Sequence, residues 1–204
     1  MKNTVKIGIC GRSGSGKSYV CSVFESFGGY HIDKDAVYHK LLEPSGRTPS
    51  PCASEIARAF GEDLLSDGKL DRKALGAVVF SDPGKLKKLN RIAHRYILDE
   101  TRRLIEATDA PFVLIDAPVL FESGFDKFCD FTVCVVANEA TCVWRIVKRD
   151  GITKAEARRR LASQIPSSKL RKMCDRAVNN SLGRDVTKDV EKILRDKGLI
   201  KDEC

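Results

Sequence analysis

The chain has 204 residues, enough to bury one sizeable core and short for two independent domains. Apolar residues make up 42% and charged residues 31%, a globular balance that excludes a disordered chain, and no apolar run reaches the roughly 18 residues a membrane helix needs. The 36 basic residues exceed the 28 acidic ones by a formal +8.

That excess is local. Residues 145–172 hold ten basic side chains and two acids, Asp150 and Glu156, while the rest of the chain balances. A concentration of this kind suits an anionic partner such as polyphosphate. Nucleic acid fits less well, because the segment contains no aromatic platform or reading motif. The eight cysteines include no Cys-x-x-Cys pair, and His31, His39 and His94 are scattered, which argues against a structural zinc site. With no hydrophobic leader before residue 8, reduced thiols in a cytoplasmic protein are the expectation.

The first expected element is a β-branched strand over residues 5–10. Gly11-Arg-Ser-Gly-Ser-Gly-Lys17-Ser18 follows at once: two glycines bracketing four residues, then Lys and Ser. This is a phosphate-loop pattern. Gly11, Gly14 and Gly16 let backbone N–H groups approach phosphate oxygens, Lys17 reaches the β- and γ-phosphates, and Ser18 offers a hydroxyl to Mg²⁺. The helix expected over residues 17–27 aims its positive end at the same anion, and Gly28-Gly29 stops it. A short second strand over residues 30–32 leads into Asp33-Lys34-Asp35. That strand is expected beside the first, at the carboxyl edge where α/β sheets bind ligands. Either Asp33 or Asp35 can then accept a proton from a hydroxyl.

Residues 36–108 exceed what one crossover helix requires, and they read as several helices, a helical insertion. The third strand, residues 112–115, ends in Asp116, the carboxylate expected to hold Mg²⁺ or its water. A fourth strand covers residues 131–136. Arg145 and Arg149 follow on one face of a helix, placed to meet a phosphoryl group. Thr153-Lys-Ala-Glu156 is a capping box that opens a helix within the basic segment, a candidate lid. A weak fifth strand, residues 176–178, and a final helix over about residues 185–197 complete the pattern. Strands alternating with helices specify an α/β domain with a mainly parallel sheet.

These motifs together resemble the dephospho-coenzyme A kinase family over essentially the whole chain. The resemblance is carried by the loop, Ile32-Asp-Lys-Asp35, Glu43-Pro-Ser-Gly46, Phe60-Gly61, Asp67-Gly-Lys-Leu-Asp-Arg72, Leu89-Asn-Arg-Ile-Ala-His94, Asp116-Ala-Pro118-Val-Leu-Phe-Glu122, Arg160-Leu-Ala-Ser-Gln164 and Val178-Asn-Asn180. It departs from the family at Cys10-Gly11-Arg12, where Thr-Gly-Gly is usual, at Tyr19, at His94-Arg95 and at Asn180-Ser-Leu-Gly183. The resemblance implies a phosphate-loop kinase fold: a parallel sheet flanked by helices, with core residues about 1–35, 109–144 and 173–204. It also implies a CoA-binding helical insertion at about 36–108 and a helical lid at about 145–172. It implies transfer of the γ-phosphoryl of ATP, with Mg²⁺, to the ribose 3′-hydroxyl of dephospho-CoA by a cytoplasmic monomer without nucleic-acid or membrane partners.

In that reading Asp35 is the favoured base and Asp33 its support. Lys17 with Arg145 or Arg149 steadies the phosphoryl group. Gly11, Ser13, Gly14, Ser15, Gly16, Lys17, Ser18, Tyr19 and Asn180 contact the nucleotide, and Ser18 and Asp116 hold the metal. Another small-molecule kinase on the same scaffold has the same loop and basic lid. A guanine-nucleotide switch is disfavoured, because the fourth strand is followed by Asn138-Glu-Ala-Thr, without the Asn-Lys-x-Asp run that reads guanine.

Overall fold

The computed structural model describes residues 4–117 and 119–201. Pro118 of the Asp116–Glu122 run and Cys204 of the cysteine count lie outside the described residues. The chain forms two compact units: residues up to Ile32 together with those from Thr108 onward, and Asp33–Ala107.

The first unit is built on a five-stranded sheet. In chain order its strands are β1 (Val5–Gly11), β2 (Tyr30–Asp33, whose last residue opens the second unit), β5 (Phe112–Asp116), β6 (Phe131–Val136) and β7 (Arg176–Asn179). Their spatial order is β2-β5-β1-β6-β7. β1 pairs in parallel with β5, Ile7 opposite Leu114, and with β6, Cys10 opposite Cys134. β6 pairs in parallel with β7. β5 and β6 are buried along their whole length, as expected of continuous apolar runs covered on both faces.

The second strand therefore does not lie beside the first, contrary to the sequence expectation. β5 occupies that position. The reason is burial: every residue of Phe112–Asp116 is buried and takes a place between two neighbours. Tyr30–Asp33 buries only Ile32 fully and suits an edge.

Helix α1 (Lys17–Ser26) and helix α9 (Thr187–Asp196) cover the sheet with Val20, Phe24, Val190, Ile193 and Leu194 against Ile7, Ile9, Leu114 and Val133. Phe24 meets Phe112 edge to face at 6.3 Å. α1 ends as its glycines dictate. Gly28, at φ 91°, donates to Glu25 O and Gly29 to Phe24 O, the paired bonds of a Schellman cap. Helices α6 (Glu139–Asp150), α7 (Lys154–Ala162) and α8 (Ser167–Met173) complete this unit. Cys142, Val143 and Ile146 of α6 pack with Ala157 and Leu161 of α7 in a separate small core. The basic segment is thus the end of α6 followed by α7 and α8.

The second unit contains α2 (Lys34–Leu41), α3 (Pro51–Phe60), α4 (Arg72–Val79) and the long α5 (Pro83–Ala107) around Ile56, Leu64, Leu75, Val79 and Ile92. It also holds a two-stranded antiparallel hairpin, β3 (Leu65–Ser66) and β4 (Lys69–Leu70), that the sequence reading did not anticipate. Asp67 and Gly68 both have positive φ at its turn, as a tight Asp-Gly hairpin requires.

Candidate active site

β1 ends in the glycine-rich loop, and α1 begins on Gly16. Gly14 and Gly16 lie at φ 74° and 81°, a left-handed backbone that side chains resist. Neither position has room for a Cβ. At Gly14 it would sit 2.5 Å from Cys142 O, and at Gly16 it would overlap Asn180 Nδ2. Among the described residues no side chain caps α1, and the helix dipole places partial positive charge at this end.

The loop carbonyls are held by two side chains. Arg145 Nη1 donates to Gly14 O at 3.3 Å and to Ser15 O at 3.0 Å. Asn180 Nδ2 donates to Ser15 O at 2.8 Å and to Gly16 O at 3.3 Å. Arg145 comes from α6 and the buried Asn180 from the turn after β7, so two distant segments fix one loop. On the N–H side of the loop, Ser15 N donates to Arg12 O at 3.0 Å.

Lys17 Nζ, at the start of α1, donates to Asp116 Oδ1 at the end of β5 in an ion pair. The other carboxylate oxygen, Oδ2, faces His31 Nε2 of β2 at 3.5 Å. Asp116 is 4% exposed, so its charge is offset by Lys17 rather than by water. Ser15 is buried and its Oγ has no hydrogen-bond partner among the described residues. Ser18 is exposed at the first turn of α1, and Tyr19 beside it points outward, 56% exposed. The site offers hard oxygen donors for a divalent cation, Ser18 Oγ and the Asp116 carboxylate, a donor set that fits Mg²⁺.

A cavity of about 890 Å³ opens over the loop. Gly11, Ser13, Gly14, Gly16, Lys17 and Ser18 form one wall; Glu122, Trp144, Arg145, Lys148, Arg149 and Gln164 form others. Arg149 is exposed there and pairs with Asp150, at 2.7 and 3.0 Å. Asp150 also accepts from Arg160 of α7, and the guanidiniums, Arg149 first, hold its carboxyl down to about 2. Asp33 caps α2, its Oδ1 accepting from Asp35 N at 2.8 Å and Ala36 N at 3.2 Å. Asp35 is exposed in the first turn of that helix.

Four residues of this arrangement went unremarked as site residues in the sequence. Gln164 Oε1 accepts from Ser13 N at 2.9 Å, and Arg12 donates to Leu161 O, so the end of α7 is tied to the loop. Trp144 gives the cavity an aromatic face, half exposed, with Lys148 Nζ 5.2 Å from its ring centre. It stands one residue before the basic segment, which is why that segment reads as lacking an aromatic. His31 looks isolated in sequence and meets Asp116 only through the sheet order.

A parallel sheet with a glycine loop after its central strand, a lysine–aspartate pair across the carboxyl edge and a basic helical segment beside the loop define a phosphate-loop kinase. The family model of dephospho-CoA kinase matches residues 5–185. A dephospho-CoA kinase from Corynebacterium glutamicum is 37% identical over 195 residues, covering 93% of this chain and 96% of that one. One from Idiomarina loihiensis is 36% identical over 183 residues, 89% of each chain. A crystal structure from Thermus thermophilus superposes with a TM-score of 0.78 at 31% identity, covering 96% of this chain and 97% of that one. The chain belongs to the dephospho-CoA kinase family, and it is an ATP-dependent kinase of coenzyme A biosynthesis.

Proposed function

We propose that the chain transfers the γ-phosphoryl of ATP to the ribose 3′-hydroxyl of dephospho-CoA, with Asp35 as the base that takes the hydroxyl proton. The observation that carries the reading is the braced loop: Gly14, Ser15 and Gly16 held by Arg145 and Asn180 beside the Lys17–Asp116 pair. In-line phosphoryl transfer asks little covalent work of the protein, so positioning and charge neutralisation dominate.

Loop N–H groups and the α1 N-terminus bind the phosphate oxygens. Lys17 follows the charge that develops on the β–γ bridge. Arg145 preorganises the loop through its carbonyl bonds, and Arg149 and Lys148 add positive charge to the cavity wall. Mg²⁺, held by Ser18 and Asp116, supplies further neutralisation of the phosphates when bound. Asp33, by capping α2, fixes the turn that carries Asp35. Residues 36–108 form the CoA-binding insertion, and residues 145–172 the lid that excludes water, which would otherwise hydrolyse ATP. The enzyme acts as a cytoplasmic monomer.

Asp35→Asn tests the assignment of the base. Turnover is expected to fall by roughly 10²–10⁴ with ATP binding nearly unchanged. Wild-type turnover in that variant transfers the role to Asp33.

A further inference from the structure

Three side chains from three separate elements converge behind the loop. Cys21 lies on α1, His31 on β2 and Asp116 at the end of β5. One ligand atom of each, Sγ, an imidazole nitrogen and a carboxylate oxygen, lies within 4.8 Å of the others. We propose that Cys21, His31 and Asp116 form a binding site for a soft or borderline divalent cation of the Zn²⁺ and Co²⁺ class, which inhibits the kinase by occupying the carboxylate at its phosphate site.

The donor set selects the cation. Thiolate plus imidazole plus one carboxylate suits Zn²⁺ and Co²⁺ and is foreign to Mg²⁺, which takes oxygen ligands almost exclusively. The separations agree. Ligand atoms about 2.0–2.3 Å from a tetrahedral zinc stand about 3.4–3.7 Å apart. His31 Nε2 and Asp116 Oδ2 are already 3.5 Å apart. A spread of at most 4.8 Å leaves the Cys21 arm about an ångström to close, within reach of a small side-chain adjustment.

Burial favours the same class. Cys21 is fully buried and Asp116 is 4% exposed, so a bound ion loses little to competing water. Three protein ligands leave a fourth position, the arrangement of an open rather than a closed zinc site. On binding, the Cys21 thiol gives its proton to solvent and no oxidation state changes.

The two oxygens of Asp116 divide the roles. Oδ1 carries the Lys17 ion pair, and Oδ2 faces His31. A cation bound at Oδ2 commits the carboxylate and sets a second positive charge beside Lys17, which weakens both Mg²⁺ retention and the placement of Lys17 on the phosphates. The inhibitory part rests on the roles proposed above for Lys17 and Asp116; the binding part does not.

The test is Co²⁺ titration of the nucleotide-free full chain, read as thiolate-to-cobalt charge transfer in the near ultraviolet. Wild type is expected to develop the band, Cys21→Ala to lack it, and Cys10→Ser and Cys174→Ser to keep it. The last two control for a close thiol pair elsewhere in the sheet unit, Cys10 and Cys174, whose sulfurs are 3.5 Å apart. His31→Gln, at a partly exposed strand position, is expected to weaken Co²⁺ binding by at least roughly 10–100-fold, and it decides the matter if the alanine variant does not fold. In parallel, Zn²⁺ added to wild type with saturating Mg²⁺ and ATP is expected to suppress phosphoryl transfer, with the inhibiting concentration raised by the same factor in Cys21→Ala. An unchanged cobalt band in Cys21→Ala, or unchanged affinity in His31→Gln, overturns the site. Equal zinc sensitivity of wild type and Cys21→Ala overturns the inhibition. A wild type that binds Co²⁺ at these residues yet phosphorylates no dephospho-CoA with Mg²⁺ alone overturns the proposed function and leaves the site standing.

Discussion

Asn180 shows how much one side chain contributes at the loop. Its amide donates to two adjacent carbonyls, Ser15 O and Gly16 O, from a buried position 4% exposed. Asn180→Ala removes both donors, and Asn180→Asp sets a carboxylate against two carbonyl oxygens and the phosphate beyond them. Losing a buried donor costs about 1–3 kcal/mol, or roughly 5- to 150-fold in affinity. Calorimetric titration with MgATP is expected to place Asn180→Ala in that range and Asn180→Asp below it. Binding like wild type in Asn180→Asp would remove the bracing role. Lys17→Ala is expected to lose most transfer activity while keeping the fold, judged by circular dichroism; normal kinetics would contradict the phosphate-loop reading.

At this scale the sequence was legible where chemistry is contiguous. The loop glycines, Lys17 and Ser18 stand in one run, and Gly14 and Gly16 take the left-handed backbone that their type allows. Contacts made across the sheet were not legible. His31 and Asp116 are 3.5 Å apart because β2 neighbours β5, and nothing local to either residue encodes that order. Gln164 and Arg12 pair with main-chain groups about 150 positions away, so their roles wait on the fold.

Among elements, α7 is the most completely specified by its own sequence. Thr153 Oγ1 accepts from Glu156 N at 3.2 Å, and Glu156 accepts from Thr153 N at 2.8 Å, the reciprocal capping box read from the sequence. Thr153→Ala is expected to cost about 0.5–2 kcal/mol in denaturant unfolding. It should also loosen the tie between α7 and the loop, seen as faster amide exchange at Ser13. Unchanged stability would mean the helix is held by Ala157 and Leu161 packing alone.

The second unit carries a pH signature. Burial first, and the Lys34 charge second, hold the His94 imidazole below its ordinary 6.5. The unfolded chain takes up the proton first as pH falls. The contribution is therefore fully present only well above the ordinary 6.5 and is lost as pH falls through and below it. The unfolding midpoint is expected to drop between about pH 7.5 and about pH 5.5, and to drop less in His94→Gln. Parallel curves for the two proteins would contradict this.

Element types followed from period and punctuation, but neighbour relations did not. The buried run Phe112–Asp116 was readable as a strand, yet only its burial on all sides explains why it displaces β2 to the edge. The β3–β4 hairpin was missed because each strand has two residues, too short for alternation to register; its Asp67-Gly68 turn was the available signal.

For the whole molecule, the basic excess now has a location. Arg145, Lys148 and Arg149 line the cavity over the loop, so part of the charge concentrated at residues 145–172 faces that cavity. Asp150 draws Arg149 and Arg160 together and leaves Arg145 committed to the loop. Family membership, the sheet with its loop and the braced carbonyls converge on one class of reaction, and the acceptor separates this reaction from those of other kinases built on the same scaffold.

The most direct measurement is ADP release by the full chain with MgATP, comparing dephospho-CoA, adenosine, AMP, cytidine and no acceptor, with product mass recorded. The expected result is release that depends on dephospho-CoA, with the product heavier by one phosphate. Release that depends instead on another acceptor, or that proceeds at the same slow rate without any, would contradict the proposed transfer to the ribose 3′-hydroxyl.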